Sequence, residues 1–111
     1  MPKVAGSLEQ FLMFAVVRLA DGAHGLAIRQ EVERTADRVV SHGALYTTMD
    51  RLERRGLVSS WIGSESPETG GRKRKFYRLE PAGARALREG YEGLRRLAEG
   101  TLDRLVAVEG D

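Results

Sequence analysis

Cysteine is absent from this 111-residue chain, so neither a disulfide framework nor a thiolate metal site is available to stabilise it. With 41% hydrophobic residues the composition is that of an ordinary globular domain, and the fold must rest on a packed core. Long apolar runs are also missing, since the longest, Phe11 to Val17, is far too short to cross a bilayer. It has neither the basic leader nor the cleavage site of a secretory signal. We therefore expect a cytoplasmic protein with no membrane partner.

A large net charge of one sign is lacking too, because 18 basic residues are nearly balanced by 16 acidic ones. The distribution is uneven, however. Residues 41–78 carry eight basic and four acidic residues, a net charge of +4, whereas residues 79–111 carry five and seven, a net charge of −2. Residues 1–40 are neutral. A basic block inside a balanced chain is typical of a surface that binds phosphate groups.

Signatures of catalysis are not found in the sequence. It contains no glycine-rich phosphate loop, no recognisable Ser-His-Asp arrangement and no carboxylate pair in a catalytic context. The two histidines, His24 and His42, are too few for a metal site without further ligands. We expect neither an enzyme nor a bound cofactor or metal.

Helical patterns fill the first third of the chain. A helix is predicted from Leu8 to about Ala20, and its nearly all-round apolar surface indicates burial on more than one side. A second helix is predicted over Leu26 to Ala36, with Glu31 on its solvent face. Arg38 to Val40 fits a very short strand.

The third predicted helix, over residues 41–55, has the clearest boundaries. Ser41 is a good N-cap, and Gly56 follows a basic last turn. Leu45, Met49 and Leu52 share one apolar face, with Tyr46 on the flank. The opposite face carries small or polar residues at its start and basic residues near its end: Gly43, Thr47, Asp50, Arg51 and Arg54.

A hairpin is predicted next. Leu57 to Ile62 and Arg72 to Glu80 are rich in strand-forming residues, and a loop containing Pro67 and two adjacent glycines joins them. Four consecutive basic residues begin the second strand, namely Arg72, Lys73, Arg74 and Lys75. We expect Trp61 to pack on the hairpin.

One long helix is predicted from Pro81 to about Val108, about 40 Å at 1.5 Å per residue. Gly90, Gly93 and Gly100 lie in its interior, at a cost of about 1 kcal/mol each, and either permit close helix approach or soften the helix. Its apolar seam follows a heptad spacing, which indicates a partner: Leu87, Tyr91, Leu94, Ala98, Thr101, Leu105 and Val108.

These elements predict a mainly α fold with a small β-hairpin, in the layout of a winged helix-turn-helix. Residues 1–80 form the predicted DNA-binding domain and residues 81–111 a C-terminal dimerisation helix. The major groove admits one α-helix, so helix 41–55 would read bases while the basic hairpin neutralises backbone phosphates. The alternative for the basic residues is a solvated surface, with Asp50 and Glu53 pairing with Arg51 and Arg54 along the helix.

The sequence resembles the PadR family of bacterial transcriptional regulators over residues 8 to about 105. The similarity is carried by Gly43-Ala44-Leu45-Tyr46, by Gly56-Leu57-Val58, by Phe76-Tyr77 with Arg78-Leu79 after the basic run, and by Gly83. His24-Gly25-Leu26 resembles the family's turn into its second helix. Two positions depart from the family pattern, Thr47 where proline is common and Glu80 where Thr or Ser usually caps the last helix.

The resemblance implies a homodimeric winged-helix repressor of the smaller subfamily, with a single short C-terminal helix. That helix would pack against the partner's first and last helices, and a small-molecule effector would bind near the interface if there is one. Tyr46 would reach DNA. The resulting dimer-interface prediction comprises Phe11, Phe14, Leu87, Tyr91, Leu94, Ala98, Thr101 and Leu105.

Double-stranded DNA with a palindromic operator is thus the expected partner. The predicted DNA-binding residues are Ser41, His42, Gly43, Tyr46, Thr47, Arg51, Arg54, Arg72, Lys73, Arg74 and Lys75. The alternative is a winged-helix module that binds a protein instead of DNA.

Overall fold

A computed structural model of the protein describes residues 7–64, 71 and 73–110, which form five α-helices and one hairpin. The predicted mainly helical fold with a two-stranded antiparallel hairpin is confirmed. In chain order the elements are α1 (Ser7–Leu19), α2 (Gly25–Ala36), α3 (His42–Arg54), β1 (Val58–Ser64), β2 (Lys73–Leu79), α4 (Pro81–Ala98) and α5 (Leu102–Glu109). A single 3-10 turn, Ala20–Gly22, joins α1 to α2.

Helix α1 lies at the centre of the fold, in contact with α2, α3, β2 and α4. Leu12 and Met13 are fully buried, and Ala15 and Val16 are nearly so. This explains why α1 is apolar almost all round: its neighbours within the same chain cover several of its sides. Phe14 remains partly exposed and faces away from this core.

The predicted strand at residues 38–40 is wrong, because these residues form no regular element. Helix α2 ends at Asp37, whose φ of 54° turns the chain sharply, and Arg29 Nε donates to the carbonyl of Val40 at 2.8 Å. The segment that pairs with the hairpin precedes α2 instead, where His24 forms an isolated antiparallel bridge with Phe76. Three residues, 38–40, are too few to distinguish a strand from an irregular segment by their sequence pattern.

Glu31 is a second correction, since it is buried and not on the solvent face of α2. Its carboxylate accepts hydrogen bonds from Arg18 Nε at 2.7 Å, Arg34 Nη2 at 2.6 Å and Thr35 Oγ1 at 2.9 Å. Buried carboxylates are tolerated when they are paired in this way. Helical spacing alone did not reveal that Arg18 approaches from α1.

The predicted third helix is confirmed in its boundaries and its inner face. The Ser41 hydroxyl accepts a hydrogen bond from the Ala44 amide at 3.0 Å, and Leu45, Met49 and Leu52 are fully buried. The chain leaves the helix through Gly56, whose φ of 75° is readily adopted only by glycine.

The hairpin pairs in one continuous antiparallel register, from Val58 opposite Leu79 to Ser64 opposite Lys73. It is fixed to the helices at its base, where the Tyr77 amide donates to the Ala23 carbonyl at 2.9 Å. Helix α4 begins directly after it, with Pro81 in its first turn and no side-chain cap from Glu80.

The single C-terminal helix predicted from Pro81 to about Val108 is wrong. The chain forms α4 and α5, separated at Gly100, whose φ of 78° is incompatible with a continuous right-handed helix. Thr101 Oγ1 donates to the Ala98 carbonyl at 2.7 Å and closes the last turn of α4. The heptad seam therefore does not run along one helix.

Burial along α4 changes sharply after its first two turns. Gly83, Ala86 and Leu87 are buried in the core of the winged-helix part, and a Cβ at position 83 would clash with the Leu57 carbonyl. The rest of α4 and all of α5 are largely exposed. The division into residues 1–80 and 81–111 stays a prediction. Among the described residues no helix is both long and apolar enough to span a membrane.

Candidate nucleic-acid interface

The outward face of α3 is open along its whole length. Gly43, Thr47, Asp50, Arg51 and Arg54 are all exposed, as the sequence predicted, and so is His42. A Cβ placed on Gly43 would meet no atom within 4 Å, so this glycine presents bare backbone to the outside. Small residues at the start of the helix and guanidinium groups toward its end suit entry of the helix N-terminus into the major groove.

Ser41 has a structural task at the start of this helix. Its hydroxyl caps α3 by accepting the Ala44 amide at 3.0 Å. Ser41 is one of the predicted DNA-binding residues, but its hydroxyl already forms a hydrogen bond within the protein.

Tyr46 lies on the flank of α3, between that helix and the start of α2. Its ring centroid is 4.6 Å from that of His42, and the side chain is partly buried against the core. Its hydroxyl lies directly over Gly25, where a Cβ would clash with it. Gly25 therefore allows the close approach of Tyr46, which brings the phenol to the N-terminus of α2.

The basic run of the hairpin divides into residues with different environments. Lys73 is exposed at the end of the hairpin nearest its loop, and Arg74 is partly buried. Arg72 lies outside the described residues. Lys75 turns toward α3, where its Nζ is 3.8 Å from both Asp50 Oδ1 and Glu53 Oε1.

Asp50 and Glu53 consequently serve a purpose that the sequence did not reveal. The alternative interpretation of the sequence paired them with Arg51 and Arg54 along α3, but their observed partners are on the hairpin. Glu53 also accepts a hydrogen bond from Ser60 Oγ at 2.7 Å, so contacts from both strands meet this helix. We call Asp50, Glu53, Ser60 and Lys75 the wing clamp. The sequence shows two acidic residues three positions apart on α3. Only the packing of the hairpin on α3 shows which residues they contact.

Tyr77 lies beneath this clamp and is fully buried. Burial raises the pKa of its phenol well above the usual value of 10.0, and the nearby Tyr46, Asp50 and Glu53 add to the shift. The Lys75 ammonium is 5.6 Å from the centre of the Tyr77 ring. Tyr77 is thus a buried, neutral phenol at the junction of the hairpin and α3, with a cation over its ring.

The predicted dimer-interface residues fall into two groups. Leu87 is only 3% exposed and belongs to the core of its own chain, so it offers no surface to a partner. Phe14 and Tyr91 form an edge-to-face pair with centroids 5.7 Å apart, and both are partly exposed. Phe11 is partly buried. The remaining members all lie on the exposed part of α4 or beyond it: Leu94, Ala98, Thr101 and Leu105.

A capped helix with an open face, preceded by a second helix and braced by an antiparallel hairpin, defines a winged helix-turn-helix protein of the DNA-binding class. Comparison with known families agrees: the model of the transcriptional regulator PadR-like family matches residues 14–89. The chain belongs to this family and is a DNA-binding transcriptional regulator, and the family is one of regulators and not of enzymes.

Among curated proteins, the chain is similar to the transcriptional regulator Rv3488 of Mycobacterium tuberculosis. The two are 43% identical over 79 residues, which cover 71% of this chain and 69% of that protein.

Solved structures show the same fold. A PadR family transcription regulator from Clostridium difficile R20291 aligns with a TM-score of 0.75 at 22% identity, over 90% of this chain and 99% of the other. A PadR-like transcription factor from Bacteroides fragilis aligns with a TM-score of 0.65 at 29% identity, over 88% of each chain.

Proposed function

We propose that this protein is a dimeric repressor that binds a near-palindromic DNA operator. In this proposal α3 enters the major groove, with His42, Gly43 and Thr47 toward the base edges and Arg51 and Arg54 near phosphates. Lys73 and Arg74 of the hairpin contact the backbone. The observation that carries the proposal is the exposed, polar-to-basic face of α3 beside the basic strand β2.

The wing clamp supports this geometry. A hairpin that is free to swing would position its cations poorly, whereas Lys75 and Ser60 tie both strands to the acidic side of α3. The exposed face of the same helix then has a fixed angle to the hairpin. Two surfaces held at a fixed angle match the adjacent groove and backbone of one duplex.

Dimerisation is proposed from the apolar surface of the C-terminal region. Leu94, Leu97, Leu102 and Leu105 are each more than half exposed. Exposed apolar surface of this extent indicates a partner. If the partner is a second copy of the chain, the two-fold symmetry of the dimer matches that of a palindromic operator. The assignment as a repressor, and a small-molecule effector near the interface, rest on the resemblance to the family.

The electrostatic part of the proposal is tested by measuring operator affinity as a function of salt. Neutralising one phosphate lowers log K with a slope of about −0.9 per contact against log salt concentration. We therefore expect Lys73→Ala with Arg74→Ala to weaken binding to every duplex and to flatten the slope by up to about 1.8. Fluorescence anisotropy of a labelled duplex between low and moderate salt gives the slope.

Arg85→Ala with Arg88→Ala provides the matched control, because it also removes two positive charges, from exposed positions near the start of α4. We expect it to leave the slope unchanged. If the hairpin double variant shows the same slope of log K against log salt concentration as the wild-type protein, the hairpin does not contact phosphate. Specific operator sites would be found by footprinting on the DNA upstream of the protein's own gene.

A further inference from the structure

Gly43 is a glycine for which the free protein shows no structural need. It is the second residue of α3, and its φ is not among the positive values that Gly56 and Gly100 adopt. A Cβ at Gly43 would meet no atom within 4 Å. Alanine forms helices more readily than glycine, which loses more conformational entropy on folding. A side chain at this position would therefore fit and would stabilise α3.

Other glycines in the helices are explained by the packing around them. A Cβ at Gly25 would clash with the Tyr46 hydroxyl, and a Cβ at Gly83 would clash with the Leu57 carbonyl. Gly43 has no such neighbour within the described part of the chain. Glycine also occurs where a ligand comes close to the backbone. An open glycine on an exposed helix face is thus explained if another molecule approaches its Cα in the bound state.

A molecule that approaches Gly43 also meets Thr47, which lies one turn further along the same exposed face. Side chains of a helix lean toward its N-terminus, so the Thr47 side chain covers the surface beside Gly43. Its hydroxyl makes no hydrogen bond to any of the described residues. Asp50, on the same face, is instead 3.8 Å from the Lys75 ammonium in the wing clamp. The methyl and hydroxyl groups of Thr47 are thus both available to a ligand.

The short reach of Thr47 makes the clearance at Gly43 important. A threonine side chain extends only one heavy atom beyond its Cβ, whereas the major groove is about 8.5 Å deep. A side chain at residue 43 would hold α3 further from the base edges and would take Thr47 out of contact. Arg51 and Arg54 do not depend on this clearance, because their long guanidinium side chains reach the phosphates.

We propose that Thr47 is a specificity-determining residue, which contacts the edge of one base pair in each half-site of the operator. Gly43 is the matching positioning residue, because its lack of a side chain lets α3 sit deep enough in the major groove. The methyl and hydroxyl groups of threonine suit the thymine methyl group and the polar atoms of a base edge, respectively. This inference rests on the proposed function, since it requires α3 to enter the groove.

The role of Gly43 is tested on two duplexes of equal length, the sequence that the wild-type protein enriches from a randomised library and an unrelated sequence. We expect Gly43→Ala to weaken binding to the enriched duplex about tenfold, which corresponds to the loss of one base contact. Binding to the unrelated duplex should change little, because phosphate contacts supply the non-specific affinity. The melting temperature should not fall, since alanine favours the helix. Unchanged binding to the enriched duplex, or an equal loss on both, would overturn the proposal.

Gly93→Ala is the matched control, because it adds the same methyl group to a helical glycine of α4 instead of α3. A Cβ at Gly93 would meet only Arg96 Nη2, at the ordinary contact distance of 3.9 Å. We expect this variant to bind both duplexes like the wild-type protein. If Gly93→Ala weakens binding to the enriched duplex as much as Gly43→Ala does, the effect is not specific to α3 and the proposal is refuted.

The role of Thr47 is tested by repeating the library selection with Thr47→Ala. We expect the variant to lose sequence preference at one base pair in each half-site and to keep it elsewhere. Lys73→Ala is the control, since Lys73 is exposed on the hairpin and is proposed to contact the DNA backbone. It should weaken binding but enrich the same sequence as the wild-type protein. A Thr47→Ala variant that also enriches the wild-type sequence unchanged would overturn the proposal.

The library selection separates a failure of this inference from a failure of the proposed function. A wild-type protein that enriches no sequence would refute the proposed function and, with it, the role of Thr47. A wild-type protein that enriches a sequence whose every position is unaffected by Thr47→Ala would refute the role of Thr47 alone.

Discussion

At the scale of single residues, Glu31 is a buried carboxylate whose pKa its hydrogen-bond partners lower strongly. Hydrogen bonds from Arg34, Arg18 and Thr35 hold the pKa of its carboxyl at about 2, against the usual value of 4.5. The carboxylate joins α1 to α2 through Arg18, because Arg18 belongs to the first helix and Arg34 and Thr35 to the second. A charged residue thus stabilises the packing of two helices that are otherwise held by apolar contacts.

This pKa shift predicts a specific pH dependence of stability. A lowered pKa in the folded state means that the unfolded chain binds the proton more readily, so stability is present above about pH 4.5 and is lost as the pH falls toward 2. We expect Glu31→Gln to lower the melting temperature at pH 7 and to have much less effect at pH 2.5. Thermal unfolding followed by circular dichroism across this range measures both.

Glu33→Gln is the control for the Glu31 prediction, since Glu33 lies on the exposed face of the same helix. It should change the melting temperature little at either pH. If the difference in melting temperature between Glu31→Gln and the wild-type protein is the same at pH 7 and pH 2.5, the lowered pKa of Glu31 is contradicted.

At the scale of elements, the junction of hairpin and α3 decides how the DNA-binding surface is arranged. Lys75 was predicted to contact DNA as one of four consecutive basic residues, but it lies two residues nearer the base of the hairpin than Lys73, where its Nζ is 3.8 Å from Asp50 and from Glu53. Lys73 is exposed at the far end of the same strand. We therefore propose different roles for the two lysines, although they are separated by one residue and share one face of the strand.

The two roles can be separated by salt dependence. We expect Lys73→Met to reduce the slope of log K against log salt concentration by about 0.9, because a phosphate contact is lost. Lys75→Met should weaken operator binding at every salt concentration by a similar factor and leave the slope unchanged, because it loosens the hairpin without removing a counterion-releasing contact. Anisotropy titrations of both variants on one duplex make the comparison. If Lys75→Met flattens the slope as much as Lys73→Met, Lys75 contacts phosphate directly.

At the scale of the whole molecule, the shape is elongated, with extents of 56 × 32 × 22 Å. The packed part ends within the first two turns of α4, and the residues beyond it leave large apolar side chains in solvent. Among the exposed aliphatic residues in this region are Leu94, Leu97, Leu102, Leu105, Val106 and Val108. Since a packed core is already complete without them, they are the surface expected to pair with a second copy.

The proposed dimer is tested by changing this surface without touching the core. Leu94→Asp with Leu105→Asp should convert a species of twice the chain mass into a monomer, as measured by light scattering at micromolar concentration. Val39→Asp is the control, because Val39 is 77% exposed and lies in the turn between α2 and α3. A monomeric unchanged protein, or a dimer that survives both substitutions at Leu94 and Leu105, would refute the proposal.

The sequence by itself determined the parts of this protein that depend on local rules. The boundaries of α3 followed from the Ser41 cap, Gly56 and the spacing of Leu45, Met49 and Leu52, and strand alternation indicated the hairpin. The family resemblance, carried by short motifs around Tyr46 and Phe76, was confirmed as well. Each of these signals acts over a few neighbouring residues, so each can be read without knowing what packs against it.

Only the tertiary structure decided the features that depend on distant partners. Glu31 is buried because Arg18 reaches it from another helix, and Lys75 faces α3 because the hairpin register places it there. The seam after Ala98 had the spacing of one helix, yet Gly100 adopts a left-handed conformation that separates α4 from α5. A heptad pattern records which side chains are apolar, but backbone geometry decides whether they share one face.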